Sequence, residues 1–164
     1  MAHTVKYDWA IPAGTASVPS ADSRAKLFAV CVGDHPDESP GYTRVSFHFR
    51  GAAPPANFGY VASVSVGGKP TVLPLEGNAA LRVQFTYVDP SIGNFPLGYH
   101  VGYRNLISWG CGAWFEGEVT CGLGLKVAPA SDQRLAVRVG EQVEDPDGQG
   151  SNLDYILAFD VQYG

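Results

Sequence analysis

The stretch WFEGEVTCGLGL, from Trp114 to Leu125, contains the two acids whose spacing could support catalysis. Glu116 and Glu118 flank Gly117, and residues i and i+2 of a strand point to the same side. Two carboxylates roughly 5 to 10 Å apart can hydrolyse a glycosidic bond if they face one cleft. Such an enzyme also needs one carboxyl group with a raised pKa in an apolar surrounding, whereas acids beside a glycine turn are usually solvated. We therefore predict a turn leading into a strand, with a glycan hydrolase as the alternative function.

The glycines of the same stretch favour packing over phosphate binding. Gly122 and Gly124 alternate with Cys121, Leu123 and Leu125, so one face of the predicted strand carries almost no side chains. A bare face allows another backbone or an aromatic ring to lie close against it. A phosphate-binding loop would be followed by a helix, and no helix is indicated here.

A second group of acids lies in the loop EDPDGQGSNLD, residues 144–154. Calcium prefers six to eight hard oxygen ligands on a flexible backbone. The candidate ligands are Asp145, Asp147, Asn152 and Asp154. Gln149 stands where an EF-hand would carry its third acid, and hairpin loops use the same residue types to form tight turns. We predict a plain loop and no cofactor, with a calcium site as the alternative.

The chain has three cysteines, so they cannot all pair within one molecule. Cys111 and Cys121 are separated by a distance that a hairpin could close, which makes one disulfide possible. The alternative is three buried thiols that behave as small apolar side chains. No cysteine and histidine spacing typical of zinc is present.

Aromatic residues concentrate in the longest segment without regular alternation, residues 89–114. Long loops on a rigid scaffold often carry binding residues. The candidates that could stack on sugar rings or contact a protein partner are Tyr99, Tyr103, Trp109 and Trp114. The alternative is that these rings close one end of the hydrophobic core.

Period-two alternation of apolar and polar residues predicts the elements that position these groups. It is clear in residues 43–50, 81–87, 134–139 and 155–161, while residues 26–33 and 57–66 are apolar on both faces and are predicted to lie centrally or under the other sheet. No amphipathic helix of ten residues is indicated. The expected fold is an antiparallel all-β sandwich or partly open barrel of about 7–9 strands.

The composition fits one turn-rich β domain. The chain has 164 residues, of which 20 are glycine, 12 are proline and 16% are charged. Residues 24–164 are assigned to the β domain, and residues 1–23 to an N-terminal arm or linker with Trp9 and Ile11 as anchors. The formal net charge of −5 argues against a nucleic-acid partner. No apolar run approaches the ~20 residues of a membrane-spanning helix, and no signal-peptide pattern is present.

Several segments resemble one family, the AMIN-like domain of secreted actinobacterial proteins and lipoproteins. FEGEVTCGLGL is similar to that family's DFEG-hydrophobic-T-x-GLGL segment, and GDHPDESPGYTRVSFHFRGAAPPANFGYV to its GRHDGFDRVVFEFDGPLPGYRVEYV pattern. The likeness covers roughly residues 26–163. The chain departs from the pattern at Asp34 and Thr43, where the family has Arg and Asp. Of the family's cluster of Arg, His and Asp, the resemblance therefore implies only Arg44 and His35 as candidate ligand contacts in this sequence.

The resemblance implies a non-catalytic binding module of the cell envelope, whose ligand would be peptidoglycan or an envelope protein. In AMIN domains, which are similar in name and β architecture, the module attaches a cell-wall amidase to the envelope. We expect a secreted or envelope-associated protein, with any export signal or lipid anchor outside this sequence. A cytoplasmic protein with reduced thiols is the alternative location. A third function to be considered is an interaction domain whose free edge strands pair with a partner.

Overall fold

A computed structural model describes residues 3–20, 24–67, 71–127 and 134–164. All regular structure in these ranges is β. The thirteen strands found there are β1 (Thr4–Ala10), β2 (Ala16–Val18), β3 (Lys26–His35), β4 (Tyr42–Arg50), β5 (Ala56–Val61), β6 (Ser65–Val66), β7 (Thr71–Val72), β8 (Ala79–Phe85), β9 (Tyr99–His100), β10 (Leu106–Cys111), β11 (Val119–Leu125), β12 (Val137–Glu144) and β13 (Asp154–Gln162). The described residues include no helix long and apolar enough to cross a membrane.

The strands form two antiparallel sheets packed as a sandwich. Sheet A has the order β1-β12-β13-β4-β3, and sheet B has the order β2-β5-β8-β11-β10-β9. A separate hairpin pairs β6 with β7. The predicted all-β sandwich is confirmed, and the barrel alternative is excluded because the sheets do not close on each other. Nine of the strands described have six or more residues, and the other four are short additions of two or three.

The alternating side chains meet in one core between the sheets. Phe47 of β4 and Phe159 of β13 are fully buried in sheet A, opposite Phe58 and Phe85 of sheet B. The ring centroids of Phe47 and Phe85 are 4.9 Å apart, and those of Phe58 and Phe159 are 5.5 Å apart, both edge to face. Edge-to-face pairs add roughly 0.5–1.5 kcal/mol to the stabilisation from burial alone. The period-two pattern therefore identified the inward face correctly.

The segment predicted as an arm or linker supplies an edge strand to each sheet. β1 pairs with β12, β2 pairs with β5, and the Tyr7 ring lies 5.0 Å from that of Phe58. Trp9 packs against Tyr42, but Ile11, the second predicted anchor, is half exposed. Both partner strands lie far away in sequence, so no local pattern signals these pairings. Residues 1–2 and 21–23 of the predicted arm lie outside the described ranges.

The bare face of β11 does admit another segment, as its glycines predicted. A Cβ at Gly124 would meet the backbone carbonyl of Glu76, and a Cβ at Gly122 would come within 2.6 Å of Leu75. Leu75 and Glu76, which precede β8, therefore lie against the outer face of sheet B. A second apolar cluster forms there from Val64, Val66, Leu73 and Ala80.

The acidic stretch is a turn followed by a strand, as predicted. Phe115 and Glu118 exchange backbone hydrogen bonds of 2.9 and 3.0 Å, so Glu116 and Gly117 form a two-residue hairpin loop. Their φ angles of 49° and 84° correspond to a type I′ turn. At the end of the β10–β11 ladder nearest this turn, Cys111 of β10 and Cys121 of β11 lie directly opposite each other and form a buried disulfide.

Candidate binding groove and charge clusters

A groove of about 470 Å³ lies between the edge strands β3 of sheet A and β9 of sheet B. This volume is within the range of roughly 300–1,000 Å³ that small-molecule sites occupy. It is lined by Val30, Val32, Tyr99, His100, Val101, Tyr103 and Trp109. Three of the four aromatic residues selected from the sequence therefore meet here.

The groove exists because the core is incompletely covered along this side of the sandwich. Val30 and Val32 pair with Phe47 and Val45 and share their inward face, yet both valines are only half-buried. The opposing strand β9 has just two residues and leaves the valines uncovered. The groove floor is thus a margin of the hydrophobic core. β3 was predicted to lie centrally or under the other sheet. It is instead an edge strand, and its inward-facing Val30 and Val32 line the opening because the short strand β9 does not cover them.

Tyr99 and Trp109 form the aromatic wall of the groove. They lie directly opposite each other on β9 and β10, and their ring centroids are 6.1 Å apart at a tilt of 43°. Trp109 is 8% exposed and packs against the core, whereas Tyr99 is 57% exposed. An apolar ring surface is therefore available to a ligand at the rim, supported by a buried ring beneath it.

Backbone contacts hold this wall in place. The Cys111 amide donates to Pro96 at 2.9 Å, and a Cβ at Gly110 would collide with the Leu97 carbonyl, so residues 96–98 lie against β10. Alternation directs the His100 side chain away from Tyr99, and its Nδ1 lies 2.5 Å from Oε2 of Glu76. This contact ties β9 to the segment that covers sheet B.

Trp114 does not belong to the groove. Its indole Nε1 donates to the Val88 carbonyl at 2.7 Å, and the ring packs partly buried against the core. The fourth aromatic residue of the predicted contact surface therefore has the structural role that the sequence left open as the alternative.

Arg44 lies in a separate cluster on the outer face of sheet A. Its Nε and Nη2 donate to the Asp160 carboxylate at 2.6 and 3.0 Å, and Nε and Nη2 of Arg138 donate to the same carboxylate at 3.0 and 2.7 Å. Asp160 is fully buried beneath the two guanidinium groups. The hydrogen bond to Asp160 raises the pKa of Arg44 further above its ordinary value.

Aromatic rings cover the two arginines. Arg138 lies 4.6 Å from the Trp9 ring and 5.0 Å from the Tyr42 ring, and His35 stacks on Tyr42 at 4.7 Å. Arg44 and His35 thus share a neighbour, but neither lines the groove. The contacts of Arg44 and His35 join β3, β4 and β13, and those of Arg138 add β12 and β1, which indicates a stabilising role for the cluster.

The two departures from the AMIN-like pattern face each other across the β3–β4 pair. Asp34 and Thr43 are register partners, and the Thr43 hydroxyl lies 3.3 Å from the Asp34 carboxylate. The Tyr163 hydroxyl donates to the same carboxylate. Desolvation, followed by contact with Asp34, raises the pKa of Tyr163 to about 12. Asp34, Thr43 and Tyr163 therefore form a polar network.

Glu116 and Glu118 line a shallow pocket of about 320 Å³ with Arg24, Thr86 and Tyr87. Glu118 accepts a hydrogen bond of 2.8 Å from Gln84. The two acids thus share one pocket, as the hydrolase alternative requires, and one of them is tied to a neighbouring strand.

The acidic loop before β13 organises itself through internal bonds. Asp145 accepts from the Gly150 amide and Asp147 from the Gln149 amide, each at 3.0 Å, while Asp154 pairs with His48. Within the described ranges, no three or more His, Cys, Asp or Glu side chains are grouped to hold a metal ion. The calcium alternative gains no support from this arrangement.

The sequence did not identify Val30, Val32 and Val101 as groove residues. The only signal for Val30 and Val32 was that residues 26–33 are apolar on both faces, which is also typical of a central strand, while Val101 lies in the segment 89–114 that was selected for its aromatic residues. Comparisons with protein-family models, with curated proteins and with solved structures found no match to this chain.

Proposed function

We propose that this protein is a non-catalytic binding module and that the groove between β3 and β9 receives a glycan. The observation that carries the proposal is the Tyr99 ring, 57% exposed beside an apolar floor and backed by Trp109. A large ring held half in water, on a strand fixed by backbone bonds, offers contact area at little entropic cost.

A sugar ring suits this combination of surfaces. Its C–H face can stack on an aromatic ring, while its hydroxyl groups need hydrogen-bond partners around the rim. The edge strands β3 and β9 border the groove, and edge strands carry backbone N–H and C=O groups that are not used within their own sheet. Apolar floors with a few convergent polar groups are typical of small-ligand sites.

Two observations support a position at the cell envelope. The Cys111–Cys121 disulfide is typical of proteins from oxidising compartments. The AMIN-like resemblance points to the same location and makes peptidoglycan the glycan to test first. An envelope protein is the other ligand that the resemblance suggests.

The test is co-sedimentation of the protein with isolated peptidoglycan. Tyr99→Ala is expected to weaken binding at least tenfold, because a tyrosine that a ligand covers as a hot spot contributes roughly 2 kcal/mol or more, and about 1.4 kcal/mol corresponds to a tenfold change in affinity. Ile11→Ala is the control, since Ile11 is 50% exposed but does not line the groove or the acidic pocket. Equal binding by both variants would remove Tyr99 from the contact surface, and no binding by the wild type would reject the peptidoglycan proposal.

The hydrolase remains the second candidate because Glu116 and Glu118 share one pocket. If it is correct, the wild type should release reducing ends from peptidoglycan, and Glu118→Gln should abolish that release. Binding without release of reducing ends favours the non-catalytic module. Light scattering after size exclusion tests the edge-strand alternative, which predicts a dimer or a complex.

A further inference from the structure

We propose that the groove selects glycans that carry 2-acetamido groups, that is, N-acetylated amino sugars, over plain hexose chains. The inference rests on the proposed function, because it names the sugar class that the same groove would take. Three properties of the groove support it: its floor is apolar, the backbone of the edge strand β3 borders it, and none of the described lining residues is Asp, Glu, Lys or Arg.

The floor is suited to a methyl group. Val30 and Val32 project into the groove from β3, Val101 lines it as well, and all three pack partly buried against the core. A hexose presents hydroxyl groups around its ring, and burying a hydroxyl group on such a floor without a partner is unfavourable. An acetamido group instead carries a methyl group, whose burial on the valine side chains is favourable.

The edge beside the floor is suited to an amide. β4 is the only strand paired with β3 in the described sheets. In an edge strand, alternate residues direct their N–H and C=O groups away from the neighbouring strand. An acetamido group has one N–H and one C=O, so it can pair with this edge as a segment of added strand would. The same strand therefore offers partners for both parts of the group.

The lining has no charged group. None of the residues described around the groove is Asp, Glu, Lys or Arg, and the His100 side chain points to the opposite face, where it contacts Glu76. A free amino sugar carries an ammonium group, which would lose its hydration above an uncharged floor. The groove should therefore discriminate against the deacetylated sugar as well as against the plain hexose.

Isothermal titration calorimetry with three tetrasaccharides tests the selectivity: the β-1,4 tetramers of N-acetylglucosamine, glucosamine and glucose. The acetylated tetramer should bind at least tenfold more tightly than either of the others, a ratio expected when one methyl-sized contact and one amide pair are lost. Equal affinities overturn the selectivity and leave a glycan groove in place. Binding of peptidoglycan without binding of the acetylated tetramer also overturns the selectivity alone. Absence of binding to both overturns the proposed function as well.

A conservative variant locates the effect on the floor. Val32→Thr keeps the side-chain shape but replaces a methyl group by a hydroxyl group, and should reduce the preference for the acetylated tetramer several-fold. Val5→Thr is the control, because Val5 is 47% exposed on β1 at the far edge of sheet A. Amide chemical shifts of the wild type should change along β3 when the acetylated tetramer is added. An unchanged preference in Val32→Thr, or shifts confined to other strands, would overturn the proposal.

Discussion

Replacing Asp160 by Asn should destabilise the protein strongly, although Asp160 lies outside the groove. Its carboxylate is fully buried and accepts four hydrogen bonds from Arg44 and Arg138, whose side chains are 24% and 22% exposed. Asn keeps the shape but removes the negative charge and one acceptor oxygen. Two largely buried guanidinium groups would then face each other without a counter-charge.

The cost can be worked out from this geometry. Removing one partner of a buried ion pair costs roughly 3–5 kcal/mol, because the remaining charge stays buried and unpaired. A domain of this size has a total stability of about 5–15 kcal/mol, so the change is a large fraction of it. The expected decrease in Tm is about 6–20 °C, since each kcal/mol shifts the Tm of such a domain by roughly 2–4 °C.

Urea unfolding followed by tryptophan fluorescence, together with calorimetry, measures the effect. Glu141→Gln is the control, because its carboxylate is 3.8 Å from the Lys6 ammonium and both side chains are partly exposed. Such pairs contribute roughly 0–1 kcal/mol. If the free energy of unfolding of Asp160→Asn is within about 1 kcal/mol of the wild-type value, the two arginines do not need that carboxylate as a counter-charge, and the reasoning is refuted.

Further predictions concern pH, turn geometry, packing and the disulfide. Burial, followed by the charge of Arg44, lowers the pKa of His3, so the folded chain binds this proton less readily than the unfolded chain. The free energy of unfolding should therefore decrease as the pH drops through about 6.5. Urea titrations at several pH values should show a smaller decrease for His3→Gln. Glu116→Asn should stabilise by about 0.5–1 kcal/mol, because Asn tolerates the positive φ of a type I′ turn, and an unchanged urea midpoint would contradict this. Gly124→Ala should cost roughly 1–3 kcal/mol through its clash with the Glu76 backbone, while Gly33→Ala, with 3.6 Å of clearance, should cost little in the same assay. Opening the Cys111–Cys121 disulfide, which spans ten residues, should cost roughly 3 kcal/mol in a Cys111→Ser/Cys121→Ser variant, and Cys31→Ser should unfold at the wild-type urea concentration.

The strand pattern and the face that each strand buries were predictable from the sequence. Alternation in β4, β8 and β13 identified Phe47, Phe85 and Phe159 as inward-facing, because period two is a local property of an extended chain. The bare glycine face of β11 and the turn at Glu116 and Gly117 were predictable for the same reason. Each depends on conformations of neighbouring residues.

Which strands lie at the sheet edges was decided by the tertiary structure alone. Alternation indicates which face a residue is on but not which strand lies beside it, so β3 was expected to lie centrally or under the other sheet, and β1 and β2 were not predicted as strands. The groove exists because of these edge positions: it lies between β3, at the edge of sheet A, and the two-residue strand β9, at the edge of sheet B. Likewise, no pattern in the sequence predicted that Asp160 pairs with Arg44, which is 116 residues away. Local patterns determined the elements of this protein, and long-range pairing determined the surfaces that they expose.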